Sequence, residues 1–150
     1  MSLRVSSGLR TMTTTRTQIT HVGTVIVPVT DQERALGFYV DRLGMRKVND
    51  LTYPTGERWL EVSPGEGGSN LCLIVARPER PAGVETGVIL LSTDVPADLE
   101  ALRSRGVDVD DAPLREGELV WWSGAPLAGR PPQFRLRDPD GNSFLIVARS

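Results

Sequence analysis

The sequence predicts an α+β fold made of two β-α-β-β-β modules. The modules form a curved mixed β-sheet whose inner faces enclose a cleft and whose helices lie on the outer face. Three observations carry this expectation. "SNLCLIVAR" (Ser69 to Arg77) and "GNSFLIVAR" (Gly141 to Arg149) read almost alike at an offset of 72 residues, and self-similarity at a fixed offset marks duplicated structural units. Two β-branched runs, "ITHVGTVIVPVTD" (Ile19 to Asp31) and "TGVILLSTD" (Thr86 to Asp94), end in the same Thr-Asp pair. After each run, apolar residues recur at helical spacing until a glycine stops them.

Residues 1 to 18, "MSLRVSSGLRTMTTTRTQ", hold Arg4, Arg10 and Arg16 with no acid. They lack both the apolar stretch of a secretory signal and the periodicity of an amphipathic helix. This segment reads as a disordered leader, with Met12 a second candidate start. The remainder, 19–149, reads as a single domain with modules at about 19–77 and 85–149.

In the first module, Thr30 and Glu33 have capping-box spacing, and Leu36, Tyr39, Val40 and Leu43 share one helical face before Gly44. Strands are expected in "MRKVNDLTY", "RWLEVS" and "NLCLIVAR". In the second, Asp94 and Pro96 mark a helix start, and Val95, Leu99 and Leu102 form its apolar stripe before Gly106. Strands are expected in "VDVDDAP", "LVWWS", "QFRLRD" and "SFLIVAR", with "GAPLAGRPP" as a long Gly- and Pro-containing loop. A single unit of about 60 residues leaves one sheet face open to water, whereas two units together can bury it.

Composition narrows the function classes. The chain has 150 residues, 39% of them hydrophobic and 24% charged, with a net charge of -2. Outside the leader, 14 basic residues stand against 19 acidic ones, so no phosphate-binding surface is indicated and nucleic acid is not an expected partner. No stretch approaches the length of a membrane span. The lone cysteine, Cys72, can form no internal disulfide, which fits a reducing cytoplasm.

With the two halves in hand, "VTDQERALGFYVDRLG" after the first strand and "FRLRDPDGN" before the last resemble the vicinal oxygen chelate superfamily, which includes glyoxalase I, extradiol dioxygenases and bleomycin-resistance proteins. The resemblance covers about Ile19 to Arg149. It implies that metal-using members would hold one divalent ion in the cleft by up to four side chains, from the first and last strand of each half. Such an ion acts as a Lewis acid and needs His or carboxylate donors. Counting from the matching motifs puts Thr24, Leu73, Gly87 and Leu145 at those positions, and three of these have no side-chain donor atom. No metal and no other cofactor is therefore expected. The resemblance also implies a homodimer.

His21, the only histidine, lies an odd number of positions from Thr24 and is expected to point away from the cleft. Trp59 and Glu61 share one strand face, where a carboxylate beside an indole could orient a polar group; the alternative is that Glu61 pairs with an arginine such as Arg58 or Arg135. Trp121 and Trp122, being adjacent on an expected strand, face opposite sides, so one can enter the cleft or plug the core. Cys72 is expected on the helix-facing side as a small buried hydrophobe. "DVDD" (Asp108 to Asp111) reads as a solvated turn. No catalytic residue is assigned.

The leading expectation is a metal-independent glyoxalase-like or bleomycin-resistance-like protein. It would bind a small apolar or aromatic molecule against Thr24, Ile26, Trp59, Glu61, Leu73, Gly87, Trp121, Trp122 and Leu145. One alternative is a metal-dependent lyase or dioxygenase using His21, Glu61 or Asp138. Another is a non-catalytic structural or regulatory module whose cleft is filled by its own side chains.

Overall fold

The protein is described from a computed structural model covering residues 2–7, 10–65 and 67–149, with side chains described from Thr15 onward. Ten strands are present among these residues. The first two, β1 (Ser2–Ser7) and β2 (Arg10–Thr15), pair antiparallel with each other and join neither of the other sheets. They fall in the segment expected as a disordered leader; their Thr- and Ser-rich sequence has no apolar alternation to announce a strand.

The first module contains β3 (Thr24–Val29), a helix α1 (Gln32–Gly37) continued by one π-helical turn (Phe38–Arg42), and strands β4 (Arg46–Thr52), β5 (Arg58–Ser63) and β6 (Asn70–Val75). Its sheet runs in the order β3-β6-β5-β4. Pro28 is tolerated in β3 because that strand is at the sheet edge, where one side of the backbone needs no ladder partner. The second module repeats the plan with β7 (Glu85–Ser92), α2 (Val95–Ser104), β8 (Asp108–Val109), β9 (Gln133–Arg137) and β10 (Ser143–Ala148), in the order β7-β10-β9-β8. In each sheet the first strand pairs parallel with the last. The β-α-β-β-β plan is thus present twice, as expected.

Local chemistry explains the helix ends. Asp94 caps α2 by accepting from the Ala97 N–H at 3.0 Å, with Pro96 in the first turn. The cap of α1 is Asp31, which accepts from the Arg34 N–H at 3.0 Å, rather than the expected Thr30. Thr30 is committed elsewhere: its hydroxyl donates to Asp140 at 2.6 Å in the other module. Gly44 and Gly106 end the helical segments at φ +77° and +78°, a region that costs other residues strain.

One departure concerns "LVWWS". It forms no strand; Val120 to Gly124 is a turn region closed by a bridge between Leu119 and Pro126, with the Val120 N–H donating to the Ala125 carbonyl at 2.8 Å. Flanking Gly117, Gly124 and Pro126 favour turns over an extended ladder.

The two modules share one core. Val27, Leu60, Val62 and Leu73 of the first sheet and Phe134, Leu136, Phe144 and Ile146 of the second join Phe38, Tyr39, Leu99 and Leu102 of the helical segments in a single buried cluster. Tyr39 packs edge-on to Phe144 with ring centroids 5.9 Å apart. Both sheets therefore turn their helix-covered faces toward a common interior, and their other faces point away from it.

The join is made by "DPDGN". Asp138 is buried and accepts from the Tyr39 hydroxyl at 2.7 Å and from the Asn142 amide at 2.8 Å. Asn142 reaches the Pro28 carbonyl at 2.8 Å and accepts from the Gly83 and Val84 N–H groups at 2.8 and 2.9 Å. Asp140 binds Thr30 and Arg34. A turn that reads locally as a hairpin signal thus ties the modules together.

Candidate functional site

Alternation along each strand decides what the outward faces carry. On β5, Leu60 and Val62 enter the core, so Trp59 and Glu61 lie on the outward face. The indole N–H of Trp59 donates to one Glu61 oxygen, and the Asn70 amide donates to the other at 3.0 Å. These bonds, that of Trp59 first, hold the Glu61 carboxyl below its ordinary range against the opposing effect of burial; Asn49 adds to them. Neither arginine considered from the sequence is its partner. Arg58 instead binds Asp50 at 2.8 Å and Glu33, which holds the Asp50 carboxyl well below the usual range. Arg135 pairs with Glu85.

The register Glu61 to Cys72 to Ile26 carries the same face across β6 and β3. Cys72 therefore belongs to the outward face and Leu73, fully buried in the cluster shared with the helices, does not. This reverses the sequence expectation for both residues. The reason is a one-residue slip: matching "NLCLIVAR" letter by letter to "NSFLIVAR" aligns Leu73 with Leu145, yet the two point to opposite faces. In a strand, one step changes the face. Burial pushes the Cys72 thiol up to about 11, with the nearby Glu61 charge adding and a backbone hydrogen bond at Leu60 opposing. A groove of about 600 Å³ opens beside this face, lined by Ile26, Trp59, Ile74 and Tyr53 together with Arg77 and Arg80. Thr24 is half-buried on the same side of β3 as Ile26.

In the second module, Phe144 and Ile146 enter the core, so Leu145 lies outward, opposite Arg135 in register. Leu145 is only 2% exposed and stands in the wall of a second cavity, of about 450 Å³, together with Trp121, Gln133, Arg135 and Leu114. The guanidinium of Arg135 lies over the Trp121 ring, 5.8 Å from its centroid. Gly87 sits where β7 bulges: Ser143 pairs with Glu85 but Leu145 with Ile89, and the extra residues are absorbed at the Gly87 φ of +73°. Trp122 is 52% exposed beneath Arg130 and does not line this cavity.

The expected cleft enclosed by both modules is not what these cavities form. One is lined by residues of the first module and the link that follows it, the other by residues of the second module, because the shared core occupies the opposite faces of the two sheets. The sequence reading also missed Asn70, Gln133 and Arg135. The alternation in "QFRLRD" was a usable signal, since Phe134 and Leu136 are core and the intervening polar residues must share the other face.

The donor set does not fit the metal that the fold's metal-using members hold. Among the described residues no group of three or more His, Cys, Asp or Glu is placed to hold an ion. The positions counted as ligands remain Thr24, Gly87 and Leu145, with Cys72 rather than Leu73 on the outward face. His21 is exposed in the chain before β3, bonded to Thr20 at 2.8 Å, while Glu61 lies on the outward face of β5, bonded to Trp59 and Asn70, and Asp138 in the join between modules. These three candidates occupy separate surroundings. No helix among the described residues is long and apolar enough to cross a membrane.

Comparison with known proteins identifies the family and the fold. The protein resembles TnmS3, an antibiotic binding protein from Streptomyces sp. CB03234, with 33% identity and a TM-score of 0.72 over 90% of this chain and 100% of that one. A superfamily member from Sphaerobacter thermophilus is 30% identical with a TM-score of 0.74, covering 89% of this chain and all of the other. The uncharacterized protein YetH of Bacillus subtilis is 28% identical over 131 residues, which is 85% of this chain and 98% of YetH. A family model matches residues 18–146, and the chain belongs to the Glyoxalase/Bleomycin resistance protein/Dioxygenase superfamily.

Proposed function

We propose that this protein binds a small, largely apolar or aromatic molecule without a metal ion, as a carrier or sequestering protein rather than a lyase or dioxygenase. The observation that carries the reading is what lines the two grooves: Ile26 and Trp59 in one, Trp121 and Leu145 in the other, where metal chemistry would require donor atoms. Thr24, Glu61 and Gly87 complete the proposed walls; Leu73 lies in the core and Trp122 outside the second cavity, so neither contributes. The likeness to an antibiotic binding protein supports the same class of ligand.

The reading includes a homodimer. Each chain carries two separate grooves, and Ile26 at 38% and Ile89 at 51% exposure leave apolar surface on both outward faces. A second copy that set its second module against the first module of its partner would close each pair of grooves into one site.

The test is thermal denaturation of the purified protein against a panel of small aromatic compounds and antibiotics. A ligand that binds only the folded chain raises the midpoint with concentration. A Leu145→Glu variant, which places a charge in the proposed wall, should lose the shift. If no compound raises the midpoint, the reading fails and a self-filled, non-binding module replaces it.

A further inference from the structure

Glu61 is a half-buried carboxylate that no cationic side chain binds among the described residues. Its two oxygens accept from neutral donors, the Trp59 indole N–H and the Asn70 amide, and Asn49 adds a third. These donors hold the carboxylate in place on the outward face of the first sheet and keep it ionised. A charge withdrawn from water is ordinarily met by an opposite charge. The arginines that the sequence offers are committed elsewhere, Arg58 to Asp50 and Glu33, and Arg135 to Glu85.

The surroundings suit a cation carried by a ligand. Trp59 both donates to Glu61 and lines the groove of about 600 Å³, and the strand register carries the face from Glu61 through Cys72 to Ile26, another lining residue. An indole face attracts an ammonium group as well as an apolar one. The groove's own charges leave no positive excess to repel a cation. Arg58 is bound by Asp50 and Glu33, Arg77 pairs with Glu79 at 3.2 Å, and of the two that remain, Arg80 and Glu57, one is basic and one acidic. We propose that Glu61 receives the ammonium group of an apolar or aromatic amine whose body lies in this groove against Trp59 and Ile26. The inference rests on the small-molecule-binding reading above and adds the charge of its ligand.

The experiment titrates three naphthalene derivatives of similar size into the full-length protein at neutral pH, followed by calorimetry. They are 2-naphthylmethylamine, which is protonated there, 2-naphthylmethanol, which is neutral, and 2-naphthoate, which is an anion. The proposal expects the amine to bind about tenfold more tightly than the alcohol, the size of one charge-assisted hydrogen bond, with naphthoate weaker than both. Glu61→Gln, which keeps the size of the side chain and removes its charge, should bring the amine to the affinity of the alcohol. Glu57→Gln and Asp111→Asn alter the carboxylates in the walls of the two cavities that no arginine pairs with among the described residues, and both should keep the preference. Circular dichroism melts confirm folding, and the probe comparison on the unaltered protein and on these two variants decides the matter if Glu61→Gln does not fold. Equal affinity for amine and alcohol, or tighter binding of naphthoate, overturns this inference and leaves the aromatic-binding reading standing. So does an amine preference that survives Glu61→Gln, or one that Glu57→Gln or Asp111→Asn removes. If Glu61→Gln instead dissociates a dimer without changing the preference, the carboxylate serves an arginine of a second copy and the inference is likewise overturned. Binding of none of the three, when other aromatic compounds raise the melting midpoint, also overturns it alone. No binding by any aromatic compound overturns both.

Discussion

Asn142 makes four hydrogen bonds from one side chain, to the Pro28 carbonyl, Asp138, and the N–H groups of Gly83 and Val84. An Asn142→Leu change takes one partner from the Pro28 carbonyl, from the Gly83 and Val84 N–H groups and from Asp138, which keeps its bond from Tyr39, and should lower stability by about 3–5 kcal/mol in urea denaturation. Glu61 makes a pH prediction. Its carboxyl is held below the unfolded value, so it adds stability that is fully present above the unfolded carboxylate range, about pH 4.3, and is lost as pH falls through the folded value. Glu61→Gln should therefore flatten the acid limb of a stability-against-pH curve while leaving its neutral shape unchanged. Cys72, with its thiol pushed up to about 11 and its side chain buried, should resist alkylation in the folded protein at neutral pH and react once urea exposes it. Rapid alkylation without denaturant would contradict that placement.

Elements were readable where one face had to be apolar. The spacing of Val95, Leu99 and Leu102 located α2, and all three are buried. Asp94→Ala should remove its cap at a cost of about 1 kcal/mol, with Asp94→Ser retaining most of it; thermal melts of the two variants make the comparison. Faces were harder to read than elements. The repeated Leu-Ile-Val-Ala-Arg correctly identified two closing strands, yet its letters are out of step with the structure by one residue, because both faces of a covered strand accept leucine. Nothing in an all-apolar run records which residues point inward. "LVWWS" failed for a related reason: its apolar, aromatic character fits a strand, but the neighbouring glycines and proline decide in favour of a turn. That turn, not a strand, carries Trp121 to the cavity.

At the scale of the whole molecule, the duplicated plan and the family were visible in the sequence, while the relation of the halves was not. The tie between them runs through Asp138, Asp140 and Asn142 to Tyr39, Thr30, Arg34 and Pro28, contacts more than ninety residues apart along the chain. Each of those residues has an adequate local reading as a turn or cap, so no local signal reports the longer connection. The consequence is large, because it turns the candidate binding faces outward and leaves each chain with two separate grooves. Sedimentation should find a dimer, and Ile89→Lys, which sets a charge on the exposed second face, should shift it toward monomer and weaken ligand binding together. The most direct test of the account is calorimetric titration of an aromatic ligand into protein stripped of metals by chelation, repeated with added zinc, nickel, manganese or iron. The account predicts saturable binding in the stripped protein, unchanged by any of the four ions. Binding that appears only when an ion is restored would contradict it.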